Sequence, residues 1–240
     1  MTALLHSSKD YFQTKRYAEM AHEKVWDSCF LSDPEAGVYV SFHLPGHDGK
    51  AISLEQTADL AQRYGFVLPG EIRNSPQDIR VEEYPDYMYP TYQEGVSLDQ
   101  MRDVFKGRNG LVVLSGAMFD LLQKFNLGAT RLKAIPFRET DQATPVDGRW
   151  YFLHFRENRN CLVPEKSTGV EPTPNGHRWR IETDNKYRLC VDPSVAGELD
   201  LWRDSRATDV IFLSDRLKEA IDGAGLVIKG DSKFRECLID

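Results

Sequence analysis

Cysteine is scarce in this chain: four in 240 residues, at positions 29, 161, 190 and 237. No two form a CxxC pair, and the gaps between them are too wide for a zinc ribbon. They read as free thiols, buried like small hydrophobes in a reducing compartment. Long apolar runs are missing as well. No stretch approaches the ~18 consecutive apolar residues of a membrane-spanning helix. The opening MTALLHSSKDYFQ has neither a basic leader region nor an apolar core segment, so no secretory signal is read and a cytoplasmic location is expected. Signature loops are absent too. There is no GxxxxGK[ST] or strand-linked GxGxxG to cradle phosphates, no GxSxG or SxxK nucleophile motif, and no HExxH metal pair. No cofactor and no metal are expected.

An excess of positive charge is also lacking. The chain holds 30 Lys+Arg against 37 Asp+Glu, a net of −7. Residues 1–100 carry 8 basic and 16 acidic side chains, and residues 101–240 carry 22 and 21, so the negative excess lies in the first hundred residues. This placement argues against nucleic acid as a partner, because phosphate contacts need clustered Lys and Arg. It suits a basic protein partner, or simply a solvated surface.

What is present is a globular composition, 41% hydrophobic and 11% aromatic, at a length that buries a real core. The opening segment reads as partly helical, with Tyr17, Met20, Ala21 and Trp26 on one face. Val38–Leu44 reads as a strand stopped by Pro45-Gly46. Ser53 caps an expected helix that Gly65 ends. Residues 74–95 contain Pro76, Pro85 and Pro90 and read as a long irregular connection. Ser97 is expected to cap a short helix through Phe105. Two similar modules follow: VVLSGAMFDLLQKFNLGA and IFLSDRLKEAIDGAGL. Each reads as strand, capping Ser (Ser115, Ser214), amphipathic helix, Gly stop and strand. Ala129–Ile135, Trp150–Phe155, Cys161–Val163, Tyr187–Val191 and Leu199–Arg203 add strand candidates, and Leu226–Ile228 closes the series. The pattern is α+β, with a mixed, largely antiparallel sheet on which both helices pack.

One segment stands out as a candidate site. In DIRVEEYPDYMYPTYQE, Tyr84, Tyr87, Tyr89 and Tyr92 interleave with Glu82, Glu83, Asp86 and Glu94, and Arg80 is the lone base. Tyrosine offers large contact area at low entropic cost and is enriched at protein interfaces. Carboxylates steer toward a basic surface. The alternative is a surface loop whose tyrosines pack on their own domain. Two other constellations carry chemistry less well. His43 and His47 flank Pro45-Gly46, which forbids the helix that would aim both rings at a metal. His154 and Cys161 lie close in sequence, but a Cys–His nucleophile needs a third, orienting group that the sequence does not place.

The second half also resembles a known family. The elements LVVLSGAMFDLLQKFNLGATRLKAIPF, GRWYFLHFRENRNCLVPEKS and LDLWRDSRATDVIFLSDRLKEAIDGAGLVI, over about residues 105–230, are similar to a bacterial immunity-protein family whose members neighbour polymorphic toxins and secreted effectors. The resemblance implies an antitoxin without catalysis of its own, binding one cognate toxin that acts in the cytoplasm. Charge placement and pattern divide the chain into two portions: residues 1–100, an acidic α/β part that ends in the Pro/Tyr-rich stretch and in which no known family is recognised, and residues 101–240, the α+β part that carries the resemblance. The competing expectation is an enzyme of an unrecognised class with a pocket near His154 and Cys161 or at the His43/His47 turn.

Overall fold

The computed structural model describes residues 22–28, 39–43, 86–91, 103–106, 112–174, 176, 178–182, 186–226, 228 and 234–240. Among them, two four-stranded antiparallel sheets carry the fold. The first comprises β4 (Val104–Lys106), β5 (Val112–Ser115), β7 (Trp150–His154) and β6 (Arg131–Ala134), in that spatial order. The second comprises β11 (Leu201–Asp204), β12 (Ala207–Ser214), β1 (Val25–Ser28) and β13 (Arg235–Glu236). Three strand pairs accompany them. β2 (Tyr39–His43) runs antiparallel to β3 (Tyr87–Thr91), and β8 (Val170–Pro172) antiparallel to β9 (Trp179–Ile181). β10 (Cys190–Val191) runs parallel to β14 (Leu238–Ile239). The class is α+β, as expected.

Two helices, α1 (Gly116–Leu122) and α2 (Asp215–Gly223), follow β5 and β12 directly. Their start is set locally. Ser115 and Ser214 hold extended backbone, and each hydroxyl accepts from the amide three residues on, Met118 or Leu217, at 3.2 Å. The same hydroxyls donate to Asp103 and Asp200, at 2.5 and 2.6 Å, so each cap is itself held in place. Met118, Leu121 and Leu122 of α1 and Leu217 and Ile221 of α2 enter one core with Leu114, Leu153, Leu201, Ile211 and Leu213. A second core, with Trp202, Phe212, Leu189 and Val191, packs around Val25 and Cys161.

Several expectations are corrected. The helices do not pack on one mixed sheet; each extends a strand of a different sheet, and they meet in the shared core. Val25–Ser28 is a strand rather than part of a helix, and Trp26 pairs with Leu213 across β12. Val104–Lys106 is a strand paired with β5, not the end of a helix from Ser97. Tyr87–Thr91 is a strand inside the stretch read as irregular. Pro90 is tolerated there because even-numbered residues of β3 turn their amides away from β2: the Met88 N–H reaches Pro136 at 2.9 Å, and Pro90 faces the same edge. β6 does not alternate: Leu132 and Lys133 are both half-buried. Leu162 makes a single bridge to Val191 rather than a strand, and the candidates around 187–191 and 199–203 shorten to β10 and shift to β11. Leu226 and Ile228 lie outside any strand; β13 and β14 close the chain. The expected strand at 38–44 is present as β2. The expected helix from Ser53, most of the opening segment and residues 97–102 lie outside the described residues.

Candidate partner-binding surface

Of the eight acidic and tyrosine candidates, the described residues include Asp86, Tyr87 and Tyr89. Glu82, Glu83, Tyr84, Tyr92 and Glu94 lie outside them. Asp86 is exposed at the entry to β3, while Tyr87 and Tyr89 are half-buried. The two-residue spacing puts both tyrosines on one face of the strand, with ring centroids 6.3 Å apart. Between them, Met88 is fully buried on the opposite face.

β3 is held from the far side by residues 136–138. The Met88 N–H donates to Pro136 and the Arg138 N–H donates to Met88, both at 2.9 Å. Residues 137–146 then turn back on themselves, with Arg138 bridging Pro145 and the Val146 N–H reaching Phe137. Asp141 braces the tip, its carboxylate accepting from the amides of Ala143 and Thr144 at 2.8 Å and from the Thr144 hydroxyl at 2.6 Å. Those bonds hold the Asp141 carboxyl below its ordinary range, the Thr144 hydroxyl contributing most. Gln142 takes left-handed backbone (φ 59°) at the tip. The Tyr87 hydroxyl donates to Gln142 Oε1 at 3.1 Å, and the Arg138 guanidinium lies 4.1 Å from the Tyr87 ring centroid. Tyr87 therefore fastens the strand to the hairpin while keeping part of its ring at the surface. The hairpin that braces β3 carries Glu139 and Asp141, which more than forty residues of sequence separate from Asp86 at the entry to the strand.

His154 and Cys161, the residues of the alternative enzymatic reading, are both buried. The Cys161 thiol accepts from the Trp202 indole at 3.3 Å, and burial pushes its pKa up to about 12. A thiol in that state is not a nucleophile near neutral pH. The His154 ring is buried and stacked on Phe152, at 6.1 Å between centroids. His43 sits in β2, and His47 lies outside the described residues. Cys161, Cys190 and Cys237 are free and buried. Among the described residues no three His, Cys, Asp or Glu side chains are grouped to hold a metal, and no helix is long and apolar enough to cross a membrane.

Buried carboxylates instead serve as ties. Asp200 accepts from the Ser214 hydroxyl, from the Asn126 backbone N–H at 2.7 Å and from the Nε and Nη2 of Arg216, joining the segment after α1 to the second sheet. Asp204 accepts from the Leu162 amide and from Arg206. Asp27 accepts from the Tyr187 hydroxyl at 2.8 Å.

A search of curated proteins finds no match to this chain. A family model does match, that of an immunity protein family (Imm11), over residues 33–230. That span takes in all of the first sheet, strands β11 and β12 of the second, both helices and the β3 surface, and the chain belongs to the Imm11 immunity protein family.

Proposed function

We propose that this protein neutralises one cognate bacterial toxin that acts in the cytoplasm, by laying the β3 surface and its neighbouring hairpin over a basic face of the toxin and occluding the active cleft. The protein contributes shape and charge and turns over no substrate. Family membership supports the antitoxin role. The observation that favours this particular surface is the fastening of Tyr87 between Arg138 and Gln142, beside exposed Asp86 and Asp141. An aromatic anchor already fixed by its neighbours loses little freedom on docking, and the carboxylates around it steer a basic partner.

Co-expression with the neighbouring toxin gene tests the role: growth is restored if this chain is the antidote. A Tyr89→Ala variant tests the surface, with an expected loss of at least fivefold in affinity, about 1 kcal/mol. Asp86→Lys is expected to slow association and flatten its dependence on salt. Full affinity and an unchanged association rate in both variants place the interface elsewhere.

A further inference from the structure

We infer that the chain is a tandem duplication of one unit, residues 25–138 and 150–240, whose two copies have exchanged their first strands: β1 completes the sheet of the second copy and β7 completes the sheet of the first. The inference rests on register rather than on likeness of sequence. Val104 faces Leu114 across β4–β5, and Leu201 faces Leu213 across β11–β12; the next two pairs of each hairpin follow in step. Ser115 sits opposite Trp150, and Ser214 opposite Val25, which equates β7 with β1. Lys133 then faces Phe152 as Arg235 faces Asp27, which equates β6 with β13.

Hydrogen bonds outside the ladders repeat with the same offsets. The Ser115 N–H reaches the Asp103 carbonyl at 2.9 Å, and the Ser214 N–H reaches that of Asp200 at 3.0 Å. Ile135 donates to Trp150 as Cys237 donates to Val25, at 3.0 and 2.8 Å. Three residues further on, Arg138 donates to Met88 as Asp240 donates to Val191, at 2.9 and 3.0 Å. Met88 bridges Phe137 in parallel and pairs with Phe42 antiparallel. Val191 does the same with Ile239 and Leu162. The correspondence thus extends from the cap serines through both four-stranded sheets and to the β2–β3 and β10–β14 pairs, while β8–β9 lies between Leu162 and β10 of the second copy.

Chain order fixes the exchange. β1 precedes β2 as β7 precedes Leu162, so each heads its own copy, yet each lies between two strands of the other copy. This is the arrangement of a strand-swapped dimer joined into one chain. Side chains at matched sites have diverged within the same geometry. Phe119 stacks on Tyr151 with centroids 3.7 Å apart, whereas Lys218, at the matched helix position, places its ammonium 4.4 Å from the centre of the Trp26 ring.

Two experiments on the full chain test the inference. A specific protease site inserted at the exposed Asp147–Gly148 link allows the folded protein to be cut between copies. The pieces are expected to stay together in gel filtration at the size of the intact chain, with unchanged near-ultraviolet circular dichroism, because each holds the other's strand. Separation in native buffer into pieces that each keep an ordered sheet overturns the exchange. The Lys218→Phe variant asks whether the two helix positions are equivalent. Its folding constant, from urea titration, is expected to stay within about tenfold of the parent or to rise, since Lys218 already lies over the Trp26 ring as Phe119 lies over that of Tyr151. A larger fall overturns the duplication.

Discussion

Asp27 offers the sharpest test of the energetics. It lies in β1, 1% exposed, with its carboxyl facing the Tyr187 hydroxyl at 2.8 Å and the Cys237 sulfur at 3.7 Å, and with Arg235 from β13 as the nearby cation. Burial dominates and pushes its pKa up from 3.8 to about 6; the hydrogen bond from Tyr187, Arg235 and Cys237 pull the other way but do not prevail. Between pH ~4 and ~6 the native state therefore holds a proton that the unfolded chain has released. The contribution of this group is fully present below pH ~4 and is lost as pH rises through about 6. At 1.36 kcal/mol per pH unit, a rise of roughly two units corresponds to about 3 kcal/mol. Asp27→Asn keeps an acceptor for Tyr187 and removes the charge. The stability of this variant minus that of the parent, from urea titrations at a series of pH values, is expected to grow by about 3 kcal/mol from pH ~3 to pH ~7 and then to level off. Other titrating groups cancel in the difference. A difference that does not change with pH, or that falls as pH rises, refutes the claim that burial governs this carboxyl.

Asp200 is expected to behave oppositely. Burial raises its pKa, but bonds from Arg216, Ser214 and the Asn126 amide outweigh burial and leave it lowered, so its contribution is present above pH ~4 and is lost as acid titrates it. Asp200→Ala strips partners from the Ser214 hydroxyl and the Asn126 amide and is expected to cost about 2–4 kcal/mol at pH 7, read by thermal and urea unfolding. Cys161 and Cys237, both pushed up by burial, are expected to resist a thiol reagent in native buffer and to react at once in urea; rapid native labelling of either contradicts their placement. Gly128 holds φ 56° with the Glu157 carboxylate against its Cα, so Gly128→Ala is expected to strain the backbone and displace Glu157 from the Ala129 amide, lowering stability by more than about 1 kcal/mol.

Features written in consecutive residues were legible. Ser115 and Ser214 announce the two helices because a hydroxyl and the amide three residues on are neighbours in any helix start. Trp150–His154 is legible because five apolar and aromatic residues form a central strand whatever their partners are. Errors fall where the partner is remote. Val25–Ser28 is four residues long and pairs with residues 211–214, nearly the full chain away, so the local pattern around Trp26 carried no sheet signal. Val104–Lys106 is shorter still, and Val104 and Phe105 read equally well as the last turn of a helix.

The candidate surface was legible in part for the same reason. Composition alone marked the tyrosines and carboxylates of residues 82–94, but an interface is a property of neighbours in space. Tyr87 gains its fixed position from Arg138 and Gln142, which a reader of the sequence has no cause to join to it. The duplication explains how that neighbourhood arises. The residues that brace β3 are the continuation of β6, just as β14, the continuation of β13, braces β10. At the sites matched to Tyr87 and Tyr89, β10 carries Cys190, buried, and the chain continues to Asp192, so the aromatic face is confined to one copy. One unit used twice thus supplies the frame, and the departure of one copy from the other falls at the surface proposed to meet the partner.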